Sequence, residues 1–114
     1  MRSDELPSRW DGIENRLPRR LEDLHGPVHG TLTLPIGLCW SGLRSFNLGN
    51  RRHRLSAYRI VLTTGYKEDA ERFLHPEHLV GDWPDQRRLL GPHYRRAWES
   101  RFPELAAVSG NGKR

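Results

Sequence analysis

Two histidine pairs and one cysteine come nearest, by type and spacing, to residues that could carry chemistry. His25-Gly26-Pro27-Val28-His29 sets two imidazoles four residues apart, the separation that puts two metal ligands on one side of a helix. Gly26 and Pro27 deny them that helix, no cysteine pair accompanies them, and Glu22 and Asp23 fall in a segment that reads as a helical turn. A turn leading into a strand accounts for the pair more simply. His75-Pro76-Glu77-His78 is a second cluster, at a helix junction where capping and packing explain it as well. Cys39 stands between Leu38 and Trp40, the setting of a small buried apolar residue rather than an activated thiolate. Gly37, Gly42 and Gly49 match neither the phosphate-loop nor the dinucleotide-binding spacing. The expectation is a chain with no catalytic centre, no metal and no cofactor.

The physical anomaly is Arg51-Arg52-His53-Arg54 at the start of the clearest predicted helix. Cations there face the positive end of the helix dipole and one another, a cost of about 0.3 to 1 kcal/mol per charge. The run belongs to a wider imbalance. Met1 to Gly30 holds five Lys/Arg and six Asp/Glu, Thr31 to Tyr66 five and none, and Lys67 to Arg114 nine and eight, so the whole net charge of +5 sits in the middle third. A phosphate or a partner's carboxylates at this helix end would meet free backbone N–H groups and guanidinium forks together. Alternatively the side chains splay into water. The first reading makes Arg44, Arg51, Arg52, His53, Arg54 and Arg59 a partner-binding face, and predicts that removing Arg51, Arg52 and Arg54 weakens association without unfolding the protein.

The elements that must position these residues follow from spacing. The 114 residues, 35% hydrophobic and 29% charged, suffice for one compact core. Residues 1–15 read as a flexible arm in which Leu6, Trp10 and Ile13 can dock, 16–106 as the globular domain and 107–114 as a disordered tail. Pro18 suits the first turn of a short helix carrying Leu17, Leu21 and Leu24, stopped by Gly26 and Pro27. Thr31-Leu32-Thr33-Leu34 alternates like a strand, and Ser45-Phe46-Asn47-Leu48 is a second. Asn50 caps a helix through Leu55, Tyr58, Val61 and Leu62 to Gly65. Another runs from Lys67 to Leu74, and a last from Pro92 through Tyr94 and Trp98 to Phe102, ended by Pro103. The prediction is an α+β fold, mostly helical, with a short two-stranded β element. The N-terminus has no apolar run of the signal-peptide kind, no stretch approaches the roughly 20 apolar residues that span a bilayer, and one cysteine allows no internal disulfide. A cytoplasmic location is expected.

Several stretches together have a family look: Leu24-His25-Gly26-Pro27, His29-Gly30-Thr31 to Leu34-Pro35, Trp40-Ser41-Gly42, Tyr58-Arg59 with Val61-Leu62 and Gly65, and Trp98-Glu99-Ser100-Arg101-Phe102-Pro103-Glu104-Leu105. From about Leu17 to Ala106 the pattern resembles a group of small actinobacterial proteins often encoded beside nucleotidyltransferase-like toxins. The resemblance implies a non-enzymatic antitoxin, or a partner subunit of such an enzyme. A nucleotidyltransferase presents a carboxylate-lined pocket, which a carboxylate-free basic surface would complement. The alternative is a DNA-binding regulator using the same arginines on phosphates. A metal-dependent enzyme built on His25, His29, His75 and His78 stands third.

Overall fold

The computed structural model describes residues 16–39 and 44–111; the expected N-terminal arm, the Trp40-Ser41-Gly42 motif and the end of the chain from Gly112 lie outside them. Burial organises these residues into a mostly helical α+β domain. β1 (Thr31–Thr33) and β2 (Ser45–Asn47) pair antiparallel, with Leu32 opposite Phe46. Both strands alternate as the sequence predicts: Leu32 and Phe46 are buried, while Thr31, Thr33, Ser45 and Asn47 face solvent. Five helices follow among the described residues: α1 (Arg51–Thr64), α2 (Lys67–Phe73), α3 (Pro76–Leu89), α4 (Pro92–Arg101) and α5 (Pro103–Asn111).

The helix starts have local causes. Asn50 Oδ1 accepts the His53 N–H at 3.2 Å and so caps α1. In the acidic first turn of α2, Asp69 Oδ2 accepts the Tyr66 N–H at 2.9 Å. Pro76, Pro92 and Pro103 head α3, α4 and α5, where a missing N–H costs nothing. Pro103 therefore separates α4 from α5 rather than ending helical structure, and the helix passes the boundary expected at Ala106 to reach Asn111.

α3 is the element the sequence reading did not anticipate. Gly81 and Pro84 have poor helix propensity, and an interior proline costs about 3 kcal/mol by removing a hydrogen bond and crowding the preceding turn. Yet α3 carries some of the most deeply buried residues. Leu79 and Trp83 are 0% exposed and Gln86 is 1% exposed, and α3 packs against both α1 and α5. Burying two such side chains contributes about 1.5 to 3 kcal/mol each, enough to offset the break.

The expected helix from Pro18 is a single 3-10 turn at Leu21–Asp23, because so few residues cannot repay helix nucleation. Its leucines still anchor it, with Leu17 and Leu24 buried. The chain beyond it is pinned to the end of α2: the His25 N–H donates to the Glu71 carbonyl at 2.8 Å and the Gly26 N–H to the Leu74 carbonyl at 2.7 Å. Only glycine permits this approach, since a Cβ at position 26 would lie 2.2 Å from the Phe73 carbonyl oxygen.

Trp98 is 2% exposed and its ring lies 5.6 Å from that of the buried Phe102, as the shared helix face of Tyr94 and Trp98 predicts. Trp98→Ala should lower the unfolding free energy by about 3 to 5 kcal/mol, the range for deleting a buried large aromatic. Urea denaturation followed by circular dichroism measures it, and a loss below about 1 kcal/mol would place the indole outside the core.

Candidate functional site

α1 carries four arginines and no carboxylate, and the structure divides the four between two faces. Arg54 points inward. Its Nε donates to Asp82 Oδ2 at 2.9 Å and its Nη2 to Asp82 Oδ1 at 3.1 Å, a two-pronged pairing, while Nη1 donates to the Leu48 carbonyl at 3.0 Å. The side chains of Arg54 and Asp82 are 16% and 10% exposed. Arg51 pairs with Asp85 and also lies 3.7 Å from Asp82. Asp82 and Asp85 are three apart on α3, as Arg51 and Arg54 are on α1, and the two helices run antiparallel along this ladder: residue 51 meets 85, 54 meets 82, and Tyr58 meets the start of α3. There the Tyr58 hydroxyl accepts the His75 N–H at 3.0 Å.

This corrects the expectation for Arg51 and Arg54. Both are spent on the protein's own carboxylates, and Arg54 is part of the fold. The sequence counts missed it because the compensating acids lie about thirty residues along the chain, in a segment to which the sequence reading assigned no element. Those acids also answer the dipole anomaly, since Asp82 and Asp85 bring negative charge to the N-terminal end of α1. Its hydrogen bonds to Asp82 hold the Arg54 guanidinium above even its ordinary pKa, against the opposing effect of burial. Tyr58, buried beside them, has its phenol pushed up to about 12, chiefly by burial, with the Asp82 charge adding to it.

The remaining expected residues fall into two groups. Arg44 is half-buried and its Nη1 donates to the Leu34 carbonyl at 3.4 Å, across the strand pair. His53 Nδ1 accepts the Asn47 N–H at 3.1 Å, so its ring holds the outer edge of β2. Arg52 and Arg59 are exposed, and neither guanidinium has a hydrogen bond or ion pair among the described residues. The basic face therefore contracts from six residues to these two.

The histidines also have structural work. His25 Nδ1 donates to the Asp23 carbonyl at 3.0 Å, His75 Nδ1 accepts the Glu77 N–H at 3.1 Å, and His78 Nε2 donates to the Val28 carbonyl at 2.8 Å. Among the described residues no group of three or more His, Cys, Asp or Glu could hold a metal ion. A second polar knot joins α3 to α4: Trp83 Nε1 and Arg87 Nε both donate to Glu99 Oε2, at 2.8 and 2.7 Å. Burial of Glu99 acts to raise its pKa, but the hydrogen bonds from Arg87 and Trp83 outweigh it and the net displacement is downward.

By architecture the chain is a mostly helical α+β protein with a two-stranded antiparallel sheet. No family model, curated protein or solved structure matches it. No helix among the described residues is long and apolar enough to cross a membrane.

Asp82→Ala should destabilise the fold by about 3 to 5 kcal/mol, because it strands a largely buried guanidinium. Arg52→Ala and Arg59→Ala should each change stability by no more than about 0.5 kcal/mol, as exposed side chains without partners do. Chemical denaturation of the three variants checks both, and an intact Asp82→Ala would show that the ladder is dispensable. Glu99 sets an acid-side expectation. A carboxylate whose folded pKa is depressed contributes stability above the unfolded value of about 4.3 and loses it as pH falls through the folded value. The stability gap between the native chain and Glu99→Gln should therefore be largest near neutrality and shrink below pH of about 4, in melting temperatures taken across that range.

Proposed function

We propose that this chain is a non-enzymatic, antitoxin-like binding protein of the cytoplasm that masks a nucleotidyltransferase-like toxin through the solvent face of α1. One observation supports the face: a helix of fourteen residues without a carboxylate pairs two of its arginines with acids of α3 and leaves Arg52 and Arg59 exposed and, among the described residues, unpaired. Ordinary solvated helix faces intersperse both signs, with glutamates placed to support the cations. Here no such acid shares the helix, and among the described residues none elsewhere pairs with Arg52 or Arg59, which leaves both for a partner's carboxylates. The nature of that partner comes from the resemblance: a nucleotidyltransferase gathers carboxylates around its metal and nucleotide pocket, and guanidinium forks match carboxylates two-pronged.

Co-expression with the product of the adjacent gene, which this reading expects to be nucleotidyltransferase-like, tests it. The two chains should co-purify at fixed stoichiometry, and nucleotidyl transfer by the enzyme should fall as the complex forms. Replacing Arg52 and Arg59 together by Ala should weaken association about tenfold, or 1.4 kcal/mol, with the melting temperature held. Full enzyme activity in the presence of excess chain would sink the masking function. Association with duplex DNA that weakens steeply with salt would favour a regulator instead.

A further inference from the structure

The outward face of α1 has a regularity beyond its charge. Arg52, Ser56, Arg59 and Thr63 succeed one another at spacings of four, three and four residues. On a helix of 3.6 residues per turn such positions form one stripe nearly parallel to the axis. The stripe lies on the side away from Ala57, Tyr58, Val61 and Leu62, the buried residues of the helix. Arg52, Ser56 and Arg59 are exposed, Thr63 is half-buried, and half-buried Leu55 and Ile60 flank the stripe. The Thr63 hydroxyl turns back onto its own helix, donating to the Arg59 carbonyl at 2.8 Å.

We propose that this stripe seats an acidic α-helix of the partner protein, with two carboxylates seven residues apart placed against Arg52 and Arg59; the proposal rests on the reading of this face as the partner-binding one. The alternating four and three spacing is that of the seam along which two helices pack. The short side chains of Ser56 and Thr63 alternate with the two long guanidinium chains, so a second helix can approach to the usual 8 to 10 Å between axes. Arg52 and Arg59 are about 10 Å apart along the axis, which is two turns of the incoming helix as well, so carboxylates seven apart keep register with both. Leu55 and Ile60 would cover its apolar shoulders.

Duplex DNA fits the face less well. Proteins that hold a duplex electrostatically make about 6 to 10 phosphate contacts, whereas two unpaired guanidiniums neutralise two. The arginines that would have enlarged the count, Arg51 and Arg54, are committed to Asp85 and Asp82.

The test uses the full chain and a water-soluble alanine- and glutamine-based helical peptide of about three heptads, bearing two glutamates seven residues apart. A control peptide has the second glutamate moved to the opposite helix face. By fluorescence anisotropy the matched peptide should bind about tenfold more tightly than the control. The reversed variant R52E/R59E should lose that preference while keeping the native circular dichroism and melting temperature. A peptide with lysines at the two positions should bind R52E/R59E and not the native chain. Should R52E/R59E fold poorly, R52A/R59A carries the same test of lost preference. Equal binding of both peptides, binding of neither, no recovery by the charge swap, or tighter binding of a short DNA duplex than of the matched peptide would each overturn the proposal. The two readings fail separately. A toxin bound equally by native and R52E/R59E chains keeps the masking function and removes the helix seat, whereas peptide recognition without inhibition of the toxin does the reverse.

Discussion

The two-pronged pairing of Arg54 with Asp82 is the constraint on which the arrangement of the other elements depends. One guanidinium ties three segments at once, since it springs from α1, forks onto a carboxylate of α3 and donates to the Leu48 carbonyl at the end of β2. Removing two charges from water is expensive, and a buried pair often contributes little net stability compared with apolar residues of the same volume. Its value here is geometric. A planar fork accepts a carboxylate in few orientations, so the pair fixes how far α1 is rotated about its own axis and how it is placed along α3. The sheet is held to the same frame from the other side, by His53 beneath Asn47.

With that rotation fixed, α1 becomes a helix with two unlike sides. The inward arginines are neutralised by Asp82 and Asp85, which also bring negative charge to the N-terminal end of the helix, where the dipole favours it. Among the described residues nothing comparable meets the outward arginines. The same residue type thus pairs with α3 at positions 51 and 54, buried only at 54, and faces solvent without a partner among the described residues at 52 and 59, and the phase of the helix separates the two roles.

The sequence made some of this legible and hid the rest for physical reasons. Strand alternation at Thr31–Thr33 and Ser45–Asn47, the Asn50 cap, and the Tyr94 and Trp98 face are local signals, written within a few residues, and the structure follows them. α3 was hidden because Gly81 and Pro84 carry unfavourable local propensities that tertiary burial of Leu79, Trp83 and Gln86 overrides. The spacing that reveals it runs through Leu79, Trp83, Gln86 and Leu90, with Pro76 at the head. Missing α3 also concealed the acids, so a middle third without Asp or Glu looked uncompensated. Coulomb attraction acts through space and disregards the order of residues along the chain. The pairs that decide the fate of Arg51 and Arg54 span about thirty residues, and no window of composition reports them.

A locked inner face bears on how an outer face can bind. Association costs free energy for each loose side chain it orders, about 0.5 to 1.5 kcal/mol for a rotamer-rich one. Were α1 free to turn, a partner meeting Arg52 and Arg59 would also have to stop that motion. The Arg54 fork has already done so during folding, together with the Tyr58 hydroxyl at the start of α3. What remains to be ordered is the rotamers of two arginines whose Cα positions are set. Two charge-assisted pairs, each worth about 1.5 to 3 kcal/mol when well formed, leave the largest surplus over that cost when both carboxylates arrive together at the spacing the helix dictates. A diffuse negative surface meets this condition poorly and a rigid element with matched spacing meets it well, so the inward ion pairs give the outward arginines selectivity as well as position.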